Sequence, residues 1–274
     1  MLKTRVITAI VLITGFLAAL FLASDLIWAI LTLAATLIGV WEWSNLIKLN
    51  AMQMRCNVVA ASIIGLVLVF TSNTPLVLYH DEFVFSLLGM ATVFWIVLAP
   101  IWLISRKKIN HMLGLTVLGL MLLLANWIAL IGLHKISPWL LLGVLTTVWI
   151  ADSAAYFAGK KFGRHKLAPE ISPGKTWEGV AGAVVAVSLY GYLLAYYLHY
   201  SLWLIAGLWL IVVLSIMGDL FESLLKRQAG VKDSSQLLPG HGGILDRIDG
   251  LIPTLAICLF YIYFPLFANL QLHA

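Results

Sequence analysis

The chain is a succession of apolar runs broken by short polar connections, and the spacing of the breaks predicts helices that cross a membrane. Nine runs stand out: Val6–Ala23, Leu26–Ile47, Val58–Phe70, Val84–Ile104, Leu113–Leu133, Trp139–Phe157, Val180–Leu198, Leu202–Leu225 and Leu251–Phe267. A helix needs about 20 apolar residues to cross a bilayer. The third run is short and reaches that length only by including Thr71 to Leu78. Lys3 and Arg5 give the first run the look of a signal peptide, but it passes through Ser24-Asp25 straight into another run. A first transmembrane helix is the better reading. Pro100 interrupts the fourth run and Asp152 the sixth, while Trp41-Glu42-Trp43 ends the second as an interfacial aromatic pair around an acid.

Composition agrees with this pattern. Of 274 residues, 62% are hydrophobic and 11% charged, against about a quarter charged in a soluble domain; mean hydropathy is +1.01. The expected fold is an all-α integral membrane protein, a polytopic bundle of about nine transmembrane helices with its amino terminus in the cytoplasm. Cys56 and Cys258 are too few for a disulfide framework or a thiolate zinc site. The histidines stand singly, with no HExxH pair. Net charge is +5, and its placement matters more than its size. With nine spans and the amino terminus inside, every lysine and arginine except Lys135 falls on the cytoplasmic side, as the positive-inside rule requires. The lipid bilayer is an expected partner, and no nucleic acid is.

Polar residues concentrate in two cytoplasmic connections and the helix ends beside them. The densest stretch is Met217 to Gly250. Asp219, Glu222 and Lys226 lie at i, i+3 and i+7 and share one helix face. Pro239-Gly240-His241-Gly242-Gly243 must be a loop. Asp246 and Asp249 then open the next helix near its positive dipole end. Charges this close to membrane spans are costly and usually serve a cavity. Salt bridges from Asp219 and Asp246 to Lys226 and Arg247 are the plain alternative. Several acids converging with a glycine loop argue for a divalent cation, and oxygen ligands with reliance on substrate phosphates favour Mg²⁺. His241 is either a phosphate contact or a loop hydrogen bond, and Glu42 is read as a structural partner.

The other connection, Lys160–Lys175, leads into Ser172-Pro173-Gly174-Lys175-Thr176-Trp177-Glu178-Gly179. Gly-Lys-Thr invites a P-loop reading, which fails because Pro169 stands where the leading glycine belongs. A turn into span seven fits better, with Ser172 or Thr176 as cap and Glu178 in the first turn. Lys175 then sits beside free N–H groups at a helix start, a natural phosphate site. On span six, Asp152, Tyr156 and Lys160 recur at i+4 along one face. Gly179 and Gly182 allow span seven to pack closely.

Ser223-Leu224-Leu225-Lys226-Arg227, then Lys232-Asp233, then Leu238 to Asp249 resemble the signature of the phosphatidate cytidylyltransferase (CDP-diglyceride synthase) family, in its bacterial inner-membrane form. Ala151-Asp152-Ser153 and Ser172–Gly179 resemble two further blocks of that family. The resemblance covers roughly the carboxy-terminal half, so residues 137–274 are expected to form the catalytic membrane region and 1–136 an amino-terminal set of spans. It implies transfer of CMP from CTP to phosphatidic acid, with CDP-diacylglycerol and pyrophosphate as products. It further implies Mg²⁺, with room for a second, monovalent cation such as K⁺ in a paired site at Asp219 and Asp246; a homodimer is compatible with it. On this reading Asp219 and Asp246 bind metal, with Asp249 and Asp152 as auxiliary ligands. Lys226 and Arg247 act on the reacting phosphates. Ser172, Lys175, Thr176, Arg227, Lys232, Asp233, His241, Gly242 and Gly243 form the substrate-binding set. Two rivals stand beside it. A CTP-dependent polyprenol or phytol kinase would release CDP instead of pyrophosphate. A secondary transporter would show repeated halves and charges near the midplane, neither of which the sequence displays.

Overall fold

The computed structural model describes residues 13–71, 82–237 and 242–264. The chain is a multi-pass membrane protein built almost wholly of helices. Among the described residues seven helices are long and apolar enough to cross a bilayer, and Ile13–Leu22 (α1) and a later helix, Leu251–Tyr263, are shorter. The expected first and ninth spans run beyond these two into residues outside the description.

From the amino-terminal side the long helices are α2 (Asp25–Leu46), α3 (Ala51–Thr71), α4 (Glu82–Ser105), α5 (Met112–Ile136) and α6 (Pro138–Phe162). Next come strands β1 (Lys166–Ala168) and β2 (Ser172–Thr176). Then follow α7 (Trp177–Leu198), α8 (Trp203–Ala229), the single-turn α9 (Leu245–Ile248) and α10 (Leu251–Tyr263).

Local chemistry explains where several expected ends differ. The third span gains length at its start, and its expected extension through Thr71–Leu78 lies, past Thr71, outside the described residues. Asn50 Oδ1 accepts the Gln53 N–H at 2.9 Å while Gln53 Oε1 accepts the Asn50 N–H at 3.0 Å, a reciprocal box that opens the helix seven residues before the apolar run. Pro100 does not break α4, because the preceding turn, Phe94–Leu98, widens to a π-helix that takes up the missing hydrogen bond. Trp41 faces outward but Trp43 is 3% exposed and donates to the Leu115 carbonyl at 3.0 Å, so the expected interfacial pair is split between lipid and core.

The core gathers on α5, which is buried on all sides along Leu122–Ala129, as a central helix should be. Indole N–H bonds staple it to α2 at three levels: Trp43 to Leu115, Trp127 to Ala29 and Trp28 to Leu130. A second close pair is α6 with α7, where Gly182 lets α7 settle onto Ala154 and Ala158.

One element was not expected. β1 and β2 form an antiparallel ribbon, Lys166 opposite Thr176 and Ala168 opposite Ser172. It precedes α7 as a hairpin, not as the strand–loop–helix of a P-loop.

Candidate active site

The ribbon delivers Lys175 to the end of the bundle. Thr176 is the helix cap: its hydroxyl accepts the Gly179 N–H at 3.1 Å and is buried. Glu178 accepts the N–H groups of Arg164 and His165, tying the ribbon's entry to the first turn of α7. The Arg227 Nε donates to the Ile171 carbonyl at 3.2 Å, so that guanidinium holds the ribbon. With the hairpin fixed at both sides, Lys175 reaches α8 and its Nζ lies 2.6 Å from Asp219 Oδ2.

Asp219 can be there because of its neighbour. At Gly218 a Cβ would land on the Asp249 carbonyl and the Pro253 ring. Only glycine lets α8 come this close to the α9–α10 junction, which puts Asp249 within electrostatic reach of Asp219 and Lys175. Asp152 on α6 feels the same two charges, and accepts from the Ser215 hydroxyl at 3.4 Å. Burial pushes the Asp249 carboxyl up to about 7, and the Asp219 charge adds to that rise. Three carboxylates thus share one lysine in a region still open to solvent, Asp219 being 37% exposed.

A second cluster lies one turn further along α8. Lys226 Nζ is 2.6 Å from both Glu222 Oε2 and Asp246 Oδ1. Asp246 Oδ2 accepts three more bonds, from the Ser234 N–H (2.9 Å), the Ser234 hydroxyl (2.9 Å) and the Gly243 N–H (2.8 Å). Burial alone would raise its pKa; Lys226 and these donors outweigh burial and hold the carboxyl down at about 2. Gly242 takes a positive φ of 76°, so the loop can turn back over Asp246. Glu222 Oε1 and the Trp95 indole nitrogen have no partner among the described residues. Both side chains line one cavity of about 10 Å³, room for a single water.

The expected site residues therefore divide. Lys175, Asp219, Asp152 and Asp249 converge, and Lys226 and Asp246 join with Glu222. Asp219 pairs with Lys175, not with Lys226, and Asp246 pairs with Lys226, not with Arg247. Ser172 is half-buried within β2, while Lys232, Asp233 and Arg247 are exposed. His241 lies outside the described residues. Tyr156 turns away, its ring under the Lys160 ammonium at 5.7 Å. Glu222, Ser215, Ser234 and Ser235 were not singled out as site residues by sequence. Glu222 is the one with a signal, the i, i+4 spacing to Lys226.

As to metal, no three His, Cys, Asp or Glu side chains among the described residues close on a single point. The donor set nevertheless fits a hard cation: it is all carboxylate oxygen, and Asp152 and Asp249 have no ion-pair partner of their own within 4 Å among the described residues. An ammonium already bonds Asp219 beside them.

Carboxylates, lysines and backbone N–H groups gather at the membrane helix ends, and the chain belongs to the Cytidylyltransferase family, whose model matches residues 3–267. Relatives sharpen this. The chain is 38% identical to a phosphatidate cytidylyltransferase of Pseudomonas aeruginosa, over 94% of this chain and 97% of that one. It is 36% identical to the phosphatidate cytidylyltransferase of Haemophilus influenzae, over 97% and 100%. With that of Thermotoga maritima it shares 44% identity over 40% of this chain and 43% of the other.

Proposed function

We propose that the protein transfers CMP from CTP to phosphatidic acid, giving CDP-diacylglycerol and pyrophosphate, at the cytoplasmic face of the inner membrane. A nine-span bundle with its amino terminus inside puts the ribbon and the α8–α9 connection on that face, and the one-sided distribution of lysine and arginine supports it. The observation that carries the reading is the half-open Lys175–Asp219 pair, set between Asp152 and Asp249 and beside the Lys226–Asp246 cluster.

The chemistry asks little of a general base. A phosphomonoester has its second pKa near ~6, so the lipid phosphate is largely a dianion at neutral pH. One of its oxygens bonds to the α-phosphorus of CTP, the bond from that phosphorus to the bridging oxygen breaks, and pyrophosphate leaves with the electron pair. The barrier is the approach of anion to anion. Lys175 is free to exchange Asp219 for a phosphate oxygen, and Lys226 holds positive charge beside the loop that receives the triphosphate. Arg247 and Lys232, exposed at the rim, meet the nucleotide first. Asp219 and Asp246, helped by Asp249 and Asp152, would hold Mg²⁺, with a monovalent ion such as K⁺ as a second cation. That metal would supply charge neutralisation and in-line alignment of the two phosphates. The lipid enters sideways between helices with its head group at the interface; two copies of the chain form the working unit.

Replacing Asp246 with Asn tests the site. The folded variant is expected to lose CTP-dependent CDP-lipid formation, at least about 100-fold. Normal turnover by a properly folded D246N protein would refute the role of Asp246. Release of CDP in place of pyrophosphate by the native protein would move it to the lipid kinases.

A further inference from the structure

The signature loop is not held by the helices that carry it alone. Glu42, on α2 and nearly two hundred residues away in sequence, is 0% exposed, and its carboxylate has no cation beside it among the described residues. It accepts three hydrogen bonds instead. The N–H groups of Ile244 (3.0 Å) and Leu245 (2.6 Å) at the start of α9 and the hydroxyl of Ser235 (2.6 Å) donate to it, while the Ser234 hydroxyl oxygen lies 3.2 Å away with its one proton turned to Asp246. Buried charge of this kind is retained only where its hydrogen bonds are complete.

These contacts bracket the loop. Ser234 and Ser235 lie before it and Ile244 and Leu245 after it, so one carboxylate ties both ends together. The Ser234 hydroxyl donates to Asp246 Oδ2 at 2.9 Å, so the Ser234–Ser235 segment that Glu42 anchors also holds Asp246, the partner of Lys226. An independent feature of the sequence agrees. A Cβ at Gly243 would collide with Glu42 Oε1 and the Ser234 hydroxyl oxygen, so glycine stands where Glu42 must approach the backbone.

We infer that Glu42 is a positioning residue for nucleotide binding: from the amino-terminal spans it sets Ser235, Ile244 and Leu245, and with them the carboxylate of Asp246, in place for the triphosphate. The inference rests on the reading of Asp246 and its loop as the nucleotide site. Glu42 touches neither substrate. Its effect passes through Ser234, Ser235 and the α9 backbone, and falls on CTP and not on the lipid.

The test is steady-state kinetics of purified E42Q and S235A proteins, varying CTP at saturating phosphatidic acid and then the reverse, with thermal unfolding in detergent alongside. Gln keeps the shape but turns one acceptor into a donor facing an N–H or hydroxyl donor. E42Q is expected to lower kcat/KM for CTP roughly 10- to 100-fold, the cost of a lost charge-assisted bond, while the KM for phosphatidic acid is unchanged. S235A removes one donor and should move the same parameter less. Folded E42Q with the native kcat/KM for CTP overturns the inference, as does an equal loss for both substrates that tracks the folded fraction. Should E42Q not fold, S235A decides alone, and a native kcat/KM for CTP in it overturns the inference. D246N, run in parallel, separates the two readings. If D246N is inactive while E42Q has native kcat/KM for both substrates, only the Glu42 inference falls; if D246N turns over normally, the site itself is misassigned and Glu42 has nothing to position.

Discussion

Two lysine–carboxylate clusters sit a turn or two apart on α8, and they are built for opposite purposes. In the Lys226 cluster the lysine side chain is 12% exposed, Asp246 8% and Glu222 4%. Asp246 has both oxygens committed, one to Lys226 and one to three loop donors. In the Lys175 cluster the lysine is 23% exposed and Asp219 37%. Beyond Lys175, Asp219 has among the described residues only the Ser223 hydroxyl, at 3.3 Å, and two further carboxylates stand near with no cation of their own among those residues. A pair buried in low dielectric is expensive to break, whereas a half-open pair exchanges partners at little cost. The first cluster is therefore the rigid part of the site, in which Asp246 gives up a donor only to the cation it would bind, and the second is the part that readily lets go of its own ions to take up a substrate's.

The largest effect expected from that contrast is on stability, at Lys226. Met in its place removes the ammonium that Glu222 and Asp246 share and leaves two buried carboxylates facing one another. The loss is about 3–5 kcal/mol, seen as a large drop in the unfolding temperature in detergent, with activity gone. The counterpart at the open cluster reverses the pattern. D219N should cost under about 1 kcal/mol of stability, as a half-exposed pair does, yet reduce CDP-lipid formation by about 100-fold or more. If D219N unfolds as readily as the Lys226→Met protein, the division into rigid and working parts is wrong.

Much of this fold was legible because lipid imposes a coarse rule: a run of apolar residues long enough to cross must be a helix. The interiors of α4 to α8 follow from that rule. Their ends do not, because ends are set by single polar contacts such as the Asn50–Gln53 box or by the π-helical turn before Pro100. The site shows the same division. That Asp219, Asp246 and Lys175 matter was legible from charge placed beside membrane spans. Which of them pair was not, since Lys175 meets Asp219 across two elements and a hairpin that three-residue strands barely announce. Glu42 was the least legible, because no period along α2 points at a loop on the far side of the chain. The glycine at 243 held the clue, but only once its neighbour in space was known.

A smaller effect sharpens the comparison through pH. Asp246, outside the spanning helices, has its carboxyl drawn down from 3.8 to about 2 in the folded protein. A carboxyl with a depressed folded pKa binds protons more readily when unfolded. Its contribution is therefore fully present above the unfolded value and is lost as pH falls through the folded one. Nearly two units at about 1.36 kcal/mol each amount to about 2 kcal/mol, vanishing between about pH 4 and about pH 2. Unfolding in detergent followed across that window should show the native protein losing this increment. In D246N, which has no proton to gain at that site, the corresponding part of the slope should be missing. An unchanged acid slope in D246N would mean that the Ser234, Gly243 and Lys226 donors do not hold a charged carboxylate there, and the buried cluster would lose its claim to be the rigid member of the pair.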